Sequence, residues 1–449
     1  MDKIITADII NQCRKNINED PFSNVIRNSI IENGIDKTVL NHSSRVKNVF
    51  TFSHEIPTGK ITNQEKSGRC WIFAALNTFR YYIAQKINVK DFELSQNYLL
   101  FWDKFEKSNY FLETIIETCH EPIDSRIIMW LLKNPIQDGG QWDMLSALVD
   151  KYGLVPKYVM PETFNSRNTM RMNHLLTLKL RASAFYLRQM ADVQKASEEV
   201  LRSEKRHILE EIYSMLVSFL GIPPNHFDFE YRDDDNNYHE DRGLTPLMFY
   251  NYYLENKPSE YLSIINAPTA DKPFMKTYTV QYLGNVFGGR PVTYLNVDIE
   301  TLKKLVLVQL KEGEPVWFGC DVGQFSDRES GIMDTELFRY EDALGISFDL
   351  DKAGRLDYGE SMLTHAMVFT GVHCVDDKPV RWKVENSWSE KSGEKGFFVM
   401  TNRWFKEYNY QVVIHKKYLS PELLEAAKQT PIVLKPWDPM GSLAIGCTY

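Results

Sequence analysis

From Cys70 onward, apolar residues recur at four- and three-residue steps: Ile72, Leu76, Phe79 and Ile83. That spacing stacks them along one side of a helix and predicts a buried face. Ser67 and Gly68 supply turn and helix-start chemistry just before it, so Cys70 falls at a helix N-terminus. The helical period returns at residues 94–120 and 139–153. A shorter helical stretch occupies 6–15, in an otherwise polar and turn-rich first sixty residues. Two long helical patterns cover 170–194 and 195–221 and stop at Ile222-Pro223-Pro224, since proline cannot continue a helix. Residues 225–272 are polar, aromatic and irregular. After Pro273 the pattern becomes that of strands, at 278–287, 291–298, 315–322, 365–375, 381–388 and 396–401, with one helix at 299–313. Helices first and strands last argue an α+β fold over a doubly wound sheet.

Composition narrows the class. At 449 residues the chain exceeds one ordinary domain, and 43% hydrophobic with 25% charged residues is ordinary for a globular protein. A formal net charge of −8 gives no overall electrostatic pull toward nucleic acid or an anionic membrane surface. No run of about 18 apolar residues predicts a membrane span. The N-terminus MDKIITADIINQCRKN is broken by charge and lacks the apolar core of an export signal. The six cysteines are sparse, follow no framework spacing and read as reduced thiols of a cytoplasmic protein.

One of them has unusual neighbours. In NQEKSGRCWIF, Gln64 precedes Cys70 by six residues and Trp71 follows it. A helix N-terminus lowers a thiol pKa, and the Gln64 amide could join the Cys70 N–H as an oxyanion donor. Alone, this stretch favours the plainer reading, a small apolar residue opening a buried helix. The second constellation is SMLTHAMVFTGVHCVDDKPVRWKVENSW, with His365 at the start of one apolar strand and Asn386 at the end of another. A histidine donating one ring N–H to an asparagine carbonyl keeps the other nitrogen toward a thiol, and Trp388 could shield that bond. His373, eight residues on, reads as a rival on the same strand face, roughly 26 Å away at about 3.3 Å per residue. Strand ends line clefts, which favours His365.

Together, Gln-x5-Cys-Trp, a distant histidine and Asn-Ser-Trp resemble the papain superfamily, and within it the bleomycin hydrolase/aminopeptidase C family. The resemblance extends through SGRCWIFA, ELSQNYLLFWDKFEKSNYFLE, DGGQWDM, KYGLVPKYVMPET, PVWFGCDVG, THAM, ENSWSEKSGEKGFF and PWDPMGSLA. It implies Cys70 as nucleophile, His365 as general base and acid, Asn386 as orienter and Gln64 as oxyanion donor. It also selects His365 over His373. Gly139 and Gly140 fall where the superfamily lines its substrate channel with a glycine pair, although the residues alone fit an ordinary turn equally well. Ser67 stands where many secreted members carry a disulfide cysteine.

The implied architecture is a papain-like two-domain fold: an N-terminal arm (1–60), a helical domain with Cys70 (61–164), a helical insertion serving oligomerisation (165–272), a β-barrel-type domain with His365 and Asn386 (273–435), and a C-terminal arm entering the cleft (436–449). The implied activity is a cytoplasmic cysteine aminopeptidase on peptide substrates, a homohexamer needing no cofactor or metal. Ala444 and Trp388 would contact substrate. An endopeptidase, or a silent hexameric shell binding peptide or nucleic acid, are the competing readings. The family pattern ends near Ala444, so residues 445–449 are expected either to fold aside or to block the cleft until trimmed.

Other signals stay at background. RDDDNNYHEDR (232–242) lacks the glycine and final glutamate of an EF-hand loop. Cys119-His120 has no second ligand pair. GNVFGGR lacks the strand-to-helix setting of a nucleotide loop. Residues 167–206 carry nine Lys/Arg against four Asp/Glu, a solvated helix face or a weak basic surface for nucleic acid.

Overall fold

The computed structural model describes residues 3–17 and 20–444. Helix Cys70–Ile87 lies at its centre, with every residue from Cys70 to Arg80 buried. The sequence suggests one buried face; the structure buries the first three turns on all sides. Helices Gln96–Glu117 and Trp142–Tyr152 pack against one side of it, and the strand His365–Val375 against another. A helix apolar all round is what such a position requires.

Among the described residues one large sheet carries the second half of the chain. Its central members are Tyr261–Ile265, Asn409–His415, Val316–Cys320, His365–Val375, Lys378–Glu385 and Phe397–Thr401, in that spatial order. Pairing between these neighbours is antiparallel, with His365 opposite Cys320 and Val368 opposite Trp317. Alternation along the strands divides the apolar residues between two cores. Trp317, Ala366, Val368, Tyr410 and Val413 face the helices. Phe318, Met367, Phe369, Val412 and Ile414 face helix Ile299–Lys311 and the Trp404 region. Burial of both faces explains why these strands read as near-continuous apolar runs.

The sheet begins earlier than the sequence boundary at 273: Tyr261–Ile265, inside the stretch read as irregular, sits in its middle. That stretch also holds a hairpin of Phe227–Arg232 with Tyr238–Leu244. The turn-rich first sixty residues include helix Pro21–Asn33, begun by an Asp20 cap and Pro21 at its first position. In strand His365–Val375 the ladder with Lys378–Glu385 shifts register twice, between Phe369 and Gly371 and between His373 and Cys374. Such bulges end strict alternation, so an even spacing no longer puts His373 on His365's face.

Helices Met170–Asp192 and Glu198–Leu220 pack on Gln96–Glu117. Much of their basic charge is used within the chain. Arg181 donates to the carbonyls of Leu132 and Lys133, and Arg188 to those of Thr118 and Glu121. Arg202 and Lys205 pair with the buried Glu113 carboxylate. Guanidinium on helix-end carbonyls complements the helix dipole. Among the described residues no helix is long and apolar enough to cross a membrane, and no group of three His, Cys, Asp or Glu is placed to hold a metal ion.

Candidate active site

Cys70, wholly buried, opens the central helix and follows a loop fixed by its own side chains. Ser67 Oγ donates to the Gln64 carbonyl at 2.6 Å, and the buried Arg69 gives Nε to Ser67 Oγ and Nη1 to Glu162 Oε1, each at 2.9 Å. Gln64 Nε2 donates to the Ser67 carbonyl at 2.7 Å, while its Oε1 accepts from Ser387 Oγ at 2.7 Å. These contacts orient the amide: nitrogen toward the Cys70 loop, oxygen toward Ser387. The amide nitrogen carries two hydrogens, and the bond to Ser67 uses one of them.

The bond to Ser387 crosses between the two halves of the chain. The Gln64 N–H also donates to the Ser387 carbonyl at 2.9 Å, and Asn63 bridges to Trp388. Farther along the central helix, Arg80 Nη2 reaches Glu385 Oε1 at 2.8 Å in a buried ion pair next to Asn386. Trp317 Nε1 donates to the Trp71 carbonyl at 3.3 Å from the strand beside His365's. The helix carrying Cys70 and the strands carrying His365 and Asn386 are therefore tied on three sides.

His365 Nε2 lies 2.9 Å from Asn386 Oδ1. An amide oxygen only accepts, so Nε2 carries the hydrogen and Nδ1 keeps a lone pair in the neutral ring. Nδ1 is buried, and no other group among the described residues hydrogen-bonds to it. The Ser387 N–H donates to the same Asn386 oxygen at 2.8 Å and holds it in place. The Trp388 ring stacks on the imidazole, centroids 4.7 Å apart at 27°. Burial pulls the His365 pKa down to about 4, against the Asn386 bond, which raises it. At ordinary pH the ring is therefore neutral. His373 lies farther along the strand, half-buried.

The glycine pair faces the same region. Gly140 packs so closely on Trp71 that an added Cβ would fall 2.4 Å from the indole. Gly140 bridges in antiparallel fashion to Ala444: the Ala444 N–H donates to the Gly140 carbonyl at 3.3 Å, and Gln141 Nε2 donates to the Ser442 carbonyl at 2.7 Å. Ala444 is fully buried. The C-terminal arm thus lies along the glycine segment as an extended peptide would. A cavity of about 700 Å3 opens beside it, lined by Tyr110, Trp130, Leu363, Thr364 and the arm's Trp437. Residues 445–449, expected to block or fold aside, lie outside the described residues.

Two buried groups escaped the sequence reading. Asp138 Oδ2 accepts from the Gly68 N–H at 2.8 Å and from Thr169 Oγ1; its Oδ1 accepts from Lys104 Nζ and Asn173 Nδ2, each at 2.7 Å. Burial alone would raise its pKa, but the Lys104 ammonium with the Thr169 and Asn173 donors holds the carboxyl well below the ordinary range. Lys107 Nζ donates to the Gly139 carbonyl at 2.6 Å and to the Asp103 carboxylate. The only sequence signal was charge inside the apolar run LLFWDKFEK, which resembles a solvated face.

A Peptidase C1-like family model matches residues 4–441. The chain belongs to that family. It is similar to the aminopeptidase C of Listeria innocua serovar 6a, 52% identical over 98% of this chain and 99% of the relative. The aminopeptidase C of Lactobacillus delbrueckii subsp. lactis is 48% identical over 99% of both chains. Among solved structures, PepW from Lactobacillus rhamnosis HN001 superposes with a TM-score of 0.97 at 54% identity, covering 99% of this chain and all of that one. The arm on the glycine segment and the His365–Asn386 bond are thus features of a Peptidase C1-like chain with mixed helices and sheet.

Proposed function

We propose that the chain is a cysteine aminopeptidase that releases N-terminal residues from peptides, with Cys70, His365, Asn386 and Gln64 as its catalytic group. The pairing of Ala444 with Gly140 carries the exopeptidase reading, because it fills the track on which residues preceding the cleaved one would lie. In the first step the Cys70 sulfur attacks the peptide carbonyl and His365 Nδ1 receives the thiol proton. Asn386 keeps the ring in the tautomer that can do this. The Cys70 N–H and the unused Gln64 amide hydrogen hold the oxyanion. His365 then protonates the leaving amine, and water, deprotonated by the same nitrogen, cleaves the thioester. No step calls for a metal or cofactor.

Gly139, Gly140 and Trp388 line the substrate path in this reading, and Ala444 caps it. In the division into arm (1–60), helical domain (61–164), insertion (165–272), sheet domain (273–435) and C-terminal arm, the helical domain and the insertion share one core, the sheet domain borders both cores, and Tyr261–Ile265 is lent to the sheet. In this reading the protein is cytoplasmic and a homohexamer; its assembly is supported by the apolar residues left exposed on the N-terminal helices and on Met170–Asp192, among them Ile9, Ile10, Phe22, Leu178 and Phe185. These are faces a partner subunit would cover.

The test compares a fluorogenic aminoacyl amide with its N-acetylated form. Hydrolysis of the unblocked amide alone is expected, abolished in Cys70→Ser. Equal hydrolysis of both would make the chain an endopeptidase, and hydrolysis of neither a silent shell.

A further inference from the structure

Beside the Trp388 ring that stacks on His365 lies a cation with no assigned task. Arg328 sits in the turn Asp327–Gly331, whose backbone is closed by the Gly331 N–H donating to the Asp327 carbonyl at 2.9 Å. The Asp327 side chain caps that same turn through the N–H groups of Glu329 and Ser330. The Arg328 carbonyl accepts from the Gly393 N–H at 3.1 Å, so the residue is held from two segments. Its guanidinium carbon lies 4.8 Å from the Trp388 ring centroid, and Nε donates to Ser392 Oγ at 3.3 Å; Ser392 Oγ in turn donates to the Trp388 carbonyl at 3.0 Å.

This leaves both terminal nitrogens uncommitted. Among the described residues no carboxylate lies within ion-pair distance of Arg328, and the side chain is exposed. Every other part of it is fixed, which is the arrangement suited to bidentate recognition of a carboxylate. Its position specifies where that carboxylate sits. Arg328 touches Trp388, Trp388 stacks on His365, and His365 must reach the leaving amine. The arm already pairs with the glycine segment, which leaves the residue after the scissile bond to bring a ligand group near Arg328.

We infer that Arg328 is a specificity residue that binds a carboxylate on the leaving-group side, and so favours peptides in which the residue following the scissile bond bears one. This rests on the aminopeptidase reading. The carboxylate has two sources: the C-terminus of a dipeptide, within one residue or about 3.5 Å of chain from the leaving nitrogen, or an Asp or Glu side chain at that position. The positive charge also reaches His365, whose protonation it opposes.

The test measures kcat/KM for Leu-Ala, Leu-Ala amide, Leu-Asp amide and Leu-Asn amide in the wild-type chain, Arg328→Gln and Arg328→Lys. Ratios taken within each protein cancel differences in folded fraction. The wild-type chain is expected to favour Leu-Ala over its amide about tenfold or more, as a charge-assisted pair implies. Arg328→Gln should bring that ratio near one, and Arg328→Lys should keep part of it. A preference for Leu-Asp amide over Leu-Asn amide, lost in Arg328→Gln, assigns the side-chain source as well. Wild-type ratios near one for both pairs, or ratios unchanged in Arg328→Gln, would overturn the proposal. If the wild-type chain cleaves none of the four, the aminopeptidase reading falls and the proposal falls with it.

Discussion

Replacing Gly140 by alanine adds one methyl group to the best-fixed part of the cleft. Its carbon would stand 2.4 Å from Trp71 Cε2 and 2.6 Å from Cδ2 and Cζ2, where carbon atoms normally approach to about 3.5 Å. Something must move by about 1 Å. Trp71 cannot yield easily: its Nε1 donates to the Asp138 carbonyl at 2.7 Å, Lys107 Nζ lies 5.3 Å from its ring centroid, and the ring is buried. The glycine segment must therefore retreat, taking with it the carbonyl that Ala444 uses. Overpacking of this kind costs about 1–3 kcal/mol, and a 1 Å misplacement of a substrate-positioning group costs about a hundredfold in rate. Denaturant melts should show the first and kcat/KM on a free aminoacyl amide the second, with Cys70 alkylation by iodoacetamide nearly unchanged because the nucleophile has not moved. Gly323→Ala is the control, since its Cβ would meet nothing nearer than Asp321 Oδ1 at 3.8 Å. If Gly140→Ala keeps kcat/KM within twofold and stability within about 0.5 kcal/mol of wild type, the glycine track does not position substrate.

His365→Ala should lower kcat by several orders of magnitude and Asn386→Ala by less, while His373→Ala should stay within about tenfold; equal losses at the two histidines would show that the wrong one has been placed at the thiol. The acid limb of kcat/KM should fall below the ordinary histidine value of 6.5, because burial holds His365 neutral down to about 4; a limb centred at 6.5 would refute this. The same depression affects stability. Between pH 6.5 and about 4 the unfolded chain takes up a proton that the folded one refuses, so stability falls with pH across that window, by up to roughly 3 kcal/mol at about 1.4 kcal/mol per unit. His365→Gln should show a shallower decline in denaturant melts; an identical slope would mean other groups carry it.

The proposed catalytic group was legible because each member stands in a pattern with its own chemical reason: Cys70 at a helix start, His365 and Asn386 at strand ends. Helix Met170–Asp192 was legible from period alone. The misreadings share a cause. Tyr261–Ile265 and Asn409–His415 are short strands whose identity comes from neighbours far away in sequence, which local pattern does not record. His373 was put on His365's face by counting, and the register shift between Phe369 and Gly371 undoes the count. Asp138, Lys104 and Lys107 look like surface charges in one dimension and become interior ones only when their partners are known. Arg328 had no motif at all; its meaning comes from the indole beneath it.

Asp138 gathers donors from Gly68, Lys104, Thr169 and Asn173, so helix Met170–Asp192, with Glu198–Leu220 packed on it, is not a detachable module. A chimera that exchanged them between relatives without matching positions 169 and 173 would strand a buried anion beside the turn leading into Cys70. Recombination within the family should therefore tolerate crossovers that keep Lys104, Asp138, Thr169 and Asn173 on one parent and select against those that split them. Segments that look like decoration on this peptidase would then be inherited as a block with its chemistry.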